Sequence, residues 1–333
     1  MIWHPGALAL LVGSGSVLLL AAAAVPVAVR VLLYWDIESA GETQFELEKS
    51  TSLISALLGW ALTFNAASFF LFIAVADDFS GFLRGAMCAT GTLNANSIGW
   101  AALGVKFVLL LAGGLWAAIN SLDNHCPDYP LIRLKYRLLL CLVPLFAVDF
   151  ILLWMFFAGI EPDVITSCCG SLFSGAPGAA SSIAGYFPPK SMMAAHHFAT
   201  ASVWCAGLYA LASRRRGAYA AYSLASALYL PLALAGFISF IAPYIYGLPF
   251  HHCPFDTFGR TYGYIGYPIF ISLLAATLWG IMPGLFAYLG KSTSLGGQIA
   301  SASVGWVGKS LAARAIMDIL VYYKLFFTGI TLY

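Results

Sequence analysis

Residues 138–160, LLLCLVPLFAVDFILLWMFFAGI, contain a single charge, Asp149, in 23 positions. The run is apolar on every face and lacks period-2 alternation. It therefore reads as a helix, which satisfies its own backbone hydrogen bonds in lipid, rather than as a barrel strand. About 20 apolar residues cross a hydrocarbon core of roughly 30 Å, so this run is long enough to span. Seven comparable runs lie near 8–34, 51–76, 100–121, 192–212, 218–247, 264–290 and 310–333. The expectation is an all-α, polytopic transmembrane bundle of about eight spans, with residues 1–333 forming a single integral membrane domain in the lipid bilayer. The first run has no Lys or Arg before it and exceeds the length of a signal-peptide core, so it reads as a retained span.

Composition supports the same class. Of the 333 residues 61% are hydrophobic and 9% charged, with a mean hydropathy of +0.86, whereas a soluble domain carries about 25% charged residues. Such a chain cannot cover a water-facing surface. This excludes a nucleic-acid binder, a disordered scaffold and a secreted disulfide mini-domain, while the net charge of +2 says little about partners.

Basic residues set the expected orientation. One set of alternate loops holds eleven of them, including Arg133, Arg137 and the run 214–216, and the other holds Arg84, Lys190 and Arg260. Under the positive-inside rule the richer set is cytoplasmic. Both termini then face the extracytoplasmic side, and the implied location is the inner membrane of a bacterium or archaeon. Segment 35–50 carries five carboxylates at spacings that suit a short solvated helix at the membrane surface.

Cysteine and histidine follow the orientation. Cys141 and Cys205 lie within spans, where Cys is a small hydrophobe. Cys88, Cys168, Cys169 and Cys253 fall in the three loops expected outside, as do or nearly do His4, His196, His197, His251 and His252. In an oxidising compartment loop cysteines are first read as disulfides, although adjacent Cys168 and Cys169 would need a strained ring to pair with each other. The competing reading is a metal site. Met192 and His196, and Met193 and His197, are i, i+4 pairs that stack a thioether and an imidazole on one helix face. Thiolate, thioether and imidazole form the donor set that soft ions such as Cu(I) select. The tripeptide His-Cys-Pro occurs at 125–127 and again at 252–254, and an imidazolium beside a thiol favours the thiolate.

Charges at depth are costly and mark either an internal pair or a functional site. Asp149 is the clearest, with Lys106 or Lys324 as a candidate partner and a proton relay as the alternative role. Arg314 and Asp318, one helical turn apart, are expected to bridge. Other motifs fail. Gly290-Lys291-Ser292 lacks the glycine that a phosphate-binding loop needs at 285, and no Cys-x-x-Cys is present, Cys253-Pro-Phe-Asp256 having Asp at the fourth place. Non-covalent haem b stays open through the histidines.

These residues imply an extracytoplasmic Cys/His/Met site of Cys88, Cys168, Cys169, Met192, Met193, His196, His197, His251, His252 and Cys253. It would handle copper or another soft metal ion, or exchange thiols and electrons, with an extracytoplasmic redox or metal-carrier protein as partner. Two alternatives stand beside it. One is a subunit of a larger respiratory-type membrane complex holding haem or quinone, with disulfides as staples. The other is a solute carrier built on Asp149.

Overall fold

In the computed structural model the described residues are 1–39, 41–126, 128–161, 163, 165–166, 188–290 and 296–327, with side chains described from 301 in the last segment. They contain ten α-helices and no strand. The helices are α1 (Pro5–Tyr34), α2 (Glu42–Ser80), α3 (Ala89–Leu93), α4 (Gly99–Asn124), α5 (Ile132–Ala158), α6 (Pro189–Ser213), α7 (Arg216–Gly236), α8 (Ala242–Tyr246), α9 (Gly266–Leu289) and α10 (Gly296–Phe327). Among the described residues six segments are long and apolar enough to cross a membrane: α1, α2, α4, α5, the continuous Arg216–Tyr246 stretch of α7 and α8, and α9. The chain is therefore a helical membrane protein. The remaining long helices, α6 and α10, are diluted by polar residues such as His196, His197, Arg314 and Asp318.

Local chemistry explains the helix ends. His4 accepts a hydrogen bond from Gly6 N through Nδ1 and caps α1, whose first residue is proline. A proline also opens α6, where its missing N–H would have no helical partner. Arg214 takes a left-handed conformation at φ 51°, which ends α6 and lets α7 start at Arg216. The acidic segment behaves differently from the separate surface helix expected of it. From Glu42 onward it is continuous with α2, because no glycine or proline interrupts the helix at 50–51, and the Ser50 and Thr51 hydroxyls donate to carbonyls one turn back.

The chain packs as two compact units, residues 1–84 with 92–166, and residues 85–91 with 167–333. In the first, α1 packs on α2 and α5, and α4 closes the ring by packing on the same two helices. Its core includes Leu58, Leu109, Trp116, Tyr136, Leu139 and Phe146. In the second, α7 packs on α6 and α9, and α10 packs on α9 and α6. Small residues let these helices approach. A Cβ at Gly284 would lie 2.6 Å from Ser223 Oγ, and one at Gly280 would lie 2.5 Å from Ser226 Oγ. Between α7 and α8 the helix widens into a π turn at Phe237–Ile241.

Candidate metal centre

The site is assembled from two loops of the second unit. Cys88 lies just before α3. Cys253 and Asp256 lie on the loop between α8 and α9, with Asp256 on the 3-10 turn Phe255–Phe258. That loop is held by its aromatic residues. Phe255 and Phe258 are buried, and the Phe258 ring lies 5.2 Å from Phe270 and 4.9 Å from Tyr267, both on α9. The first residue of α9 has to be small. A Cβ at Gly266 would stand 2.5 Å from Thr257 Oγ1, so glycine allows the turn to seat on the helix.

Seated this way, the loop brings three donor groups together. The sulfurs of Cys88 and Cys253, 165 residues apart in sequence, are 3.7 Å apart. The ligand atoms of Cys88, Cys253 and Asp256 all lie within 4.8 Å of one another. Cys88 is 1% exposed and Cys253 is fully buried, while the Asp256 side chain is 18% exposed. The arrangement therefore has a buried sulfur side and an accessible carboxylate side. Thr90 Oγ1 lies 3.2 Å from Cys253 Sγ, and the Tyr246 hydroxyl donates to the Cys253 carbonyl. His251 Nε2 contacts Asp256 Oδ2, and its ring packs on Tyr246 at 4.7 Å. A histidine thereby orients the carboxylate. Nearby, burial and the Asp256 charge together push the Tyr262 hydroxyl above its usual pKa.

His252 serves a different purpose. Its Nδ1 lies 2.8 Å from the carbonyl oxygen of Ile238, inside the π turn. A π turn shifts the helical hydrogen-bond register, and the imidazole serves one of its carbonyls. With Nδ1 donating, Nε2 is the nitrogen that carries the lone pair.

The other residues singled out by sequence occupy separate places. Cys168 and Cys169 lie outside the described residues. On α6, Met192 is buried and Met193 half-buried. His196, fully buried, approaches the Tyr229 hydroxyl at 3.3 Å through Nε2, and His197 Nδ1 lies 2.8 Å from the Tyr322 hydroxyl. These imidazoles are engaged with tyrosines inside the helix packing. His4 uses both nitrogens, Nδ1 in capping α1 and Nε2 in a 3.2 Å contact with Asp78. Of the two His-Cys-Pro copies, the first closes α4, with Cys126 Sγ donating to the Leu122 carbonyl, and only the second reaches the thiol cluster.

In the first unit Asp149 meets Lys106 at 3.2 Å, with both side chains buried. The ammonium also donates to Ser14 and Ser68. The expected Arg314–Asp318 bridge does not form among the described residues. Arg314 lies 3.5 Å from the Tyr229 ring centroid, and Asp318 Oδ2 accepts from Trp204 Nε1 at 2.8 Å. An aromatic face and an indole donor take the two charged ends in different directions.

Sequence reasoning registered Asp256 only as the residue that spoils a Cys-x-x-Cys. Its three-residue separation from Cys253 was the available signal, since a short turn returns the two side chains to one side. Comparison with protein-family models, curated proteins and solved structures finds no match.

Proposed function

We propose that this membrane protein binds a soft or borderline transition-metal ion at Cys88, Cys253 and Asp256. The observation that carries the reading is the 3.7 Å separation of the two sulfurs. Two thiolates held about 2.3 Å from one ion at a tetrahedral angle stand about 3.8 Å apart. Paired sulfurs suit Cu(I) and zinc better than hard cations, and a carboxylate is an ordinary third ligand for zinc. His251 would orient that carboxylate from behind, as outer-shell partners of metal ligands do. Three protein ligands leave a fourth position for water or for a donor that delivers or removes the ion. Burial of both thiols favours a small guest over a protein-sized thiol partner, because an ion can pass the half-open Asp256 side where a protein cannot.

In this reading α6 and α10 complete eight spans, and the bias of basic residues places the site on the extracytoplasmic side. The ion is then captured from outside the cell, from a free pool or a carrier protein. The thiols lose their protons on binding, so affinity rises with pH.

The same approach of sulfurs favours a second reading, a reversible Cys88–Cys253 disulfide. Forming it releases two protons and two electrons to a small oxidant.

Both readings are tested on the full-length protein purified under reductant, loaded with Zn(II) or Cu(I), and desalted. The metal reading expects one ion per chain, lost in Cys88→Ser and in Cys253→Ser. It also expects affinity to fall about 10- to 100-fold in His251→Ala. A wild-type protein that retains no ion, or a Cys253→Ser protein that retains it fully, overturns the metal site. If the metal-free protein instead converts under mild oxidant to a form with two fewer free thiols, and Cys88→Ser prevents this, the disulfide reading replaces it.

A further inference from the structure

The first unit contains a cleft of about 680 Å³ between α2 and α4, with Lys135 of α5 among its lining residues. On α2 the lining runs through Glu48, Ser52, Ser55, Gly59 and Thr63, steps of three to four residues that form a single stripe. A lipid-facing stripe on a spanning helix is normally apolar, and polar residues within spans turn toward protein or a cavity. This stripe turns toward a cavity.

The opposite wall is built around a buried cation. Lys135 Nζ lies 2.8 Å from Asp123 Oδ2, and it donates to Asn120 Oδ1 at 3.2 Å and to Asn124 Oδ1 at 3.3 Å. An ammonium has three N–H bonds and no lone pair. The two asparagine oxygens take two of its donors, and Asp123 balances its charge. The cleft therefore receives no net positive charge from Lys135. Because an ammonium only donates, each asparagine must turn its oxygen toward it, which leaves each amide NH2 on the other prong of the side chain. Both asparagines line the cleft. Glu48, hydrogen-bonded by Gln44 at 2.9 Å, adds negative charge near one end. This lining suits a neutral group that accepts hydrogen bonds and disfavours a phosphate.

Access completes the description. Trp60 lines the cleft and is 78% exposed on a helix that spans the membrane, so the cleft opens sideways toward acyl chains. We propose that it binds the carbonyl-bearing headgroup of a neutral membrane amphiphile, with the Asn120 and Asn124 amides donating to the carbonyl oxygens. Two sources share that chemistry, an isoprenoid quinone and the ester carbonyls of an acylglycerol.

Gly59→Leu is the primary variant. A Cβ at position 59 meets nothing within 4 Å, so a leucine there starts into open space at the cleft, and an unchanged melting temperature checks the fold. Asn120→Leu is the second variant. Full-length protein in detergent is titrated with decyl-benzoquinone, following tryptophan quenching, and separately with dioleoylglycerol, following retained adducts by native mass spectrometry. Saturable quinone binding that weakens about tenfold or more in Gly59→Leu supports the site and names quinone as the source. A dioleoylglycerol adduct lost in the same variant, with quinone quenching that does not saturate, supports the site and names the lipid. Binding of both probes that is unchanged in Gly59→Leu and Asn120→Leu, or no binding of either to the wild type, overturns the proposal.

Discussion

Buried charge is handled differently in the two units. In the first, Lys106 and Lys135 are each about 1% exposed, and each meets a carboxylate, Asp149 at 3.2 Å and Asp123 at 2.8 Å. Serine or asparagine oxygens take the remaining ammonium protons. In the second, Arg314 is equally buried, yet its Nε and Nη1 find no hydrogen-bond partner among the described residues, nor does Asp318 Oδ1. The guanidinium rests on the Tyr229 ring instead. A closed pair is a structural element because its charge is balanced internally, although Asp149 Oδ1 and Asp123 Oδ2 have no hydrogen-bond partner among the described residues. A buried polar atom without a partner is where a bound water or ion is expected. The contrast is therefore one of charge balance, in which each buried lysine of the first unit faces a carboxylate and Arg314 of the second faces a ring.

The largest expected effect tests the closed pair. Lys106→Met strands Asp149 as a lone carboxylate in an apolar core, and breaking a buried pair in this way costs about 3 to 5 kcal/mol. Thermal unfolding in detergent should show a large fall in melting temperature and in folded yield. Removing both charges together, in Lys106→Met with Asp149→Leu, should restore most of that loss. If the single variant is as stable as wild type, Asp149 is not held by Lys106 and becomes available for a titrating role.

A smaller effect is expected from Arg314→Met. The variant gives up a cation–π contact of about 2 kcal/mol when desolvated, but it also removes a guanidinium whose donors are incompletely satisfied. The fall in melting temperature should therefore be less than that of Lys106→Met. An equal or greater fall would mean that Arg314 is as fully paired as the lysines, and the contrast between the units would be lost.

The fold was legible because a lipid environment forces one pattern. Runs such as 138–160 have no other way to satisfy their backbones in a membrane, and for Ile132–Ala158 and Gly266–Leu289 the helix ends fall within a few residues of the ends of the expected runs. Segment 42–50 was misread because charge suggested a separate surface helix, whereas helix propagation depends on the absence of a breaker. The site was half legible. Loop placement singled out Cys88 and Cys253, but their approach to 3.7 Å depends on Gly266 seating the Thr257 turn and on Phe258 packing against α9. No spacing rule contains those contacts. His252 reads as a ligand because it adjoins Cys253, and the contact of its Nδ1 with a π-turn carbonyl is one that periodicity does not reveal. The helix-face pairs on α6 were read at the right spacing. What the imidazoles meet there, Tyr229 and Tyr322, comes from α7 and α10.

The smallest expected effect compares the two His-Cys-Pro cysteines, one in each unit. Cys126 sits just past the end of α4, and burial, followed by the charges of Asp128 and Asp123, pushes its thiol above the ordinary pKa. The folded protein therefore holds this proton more tightly than the unfolded chain does. The associated stability is fully present below the ordinary thiol pKa and is lost as pH rises through the raised value. Because the thiolate is the nucleophile, maleimide labelling of Cys126 should lag behind that of a short unfolded peptide at neutral pH. The lag should narrow as pH rises, with Cys126→Ala identifying the band. Labelling at the peptide's rate across the whole range would show that neither burial nor the two aspartates hold this proton. The first His-Cys-Pro would then resemble a reactive site, and placing the proposed metal-binding thiols in the second unit alone would lose one of its supports.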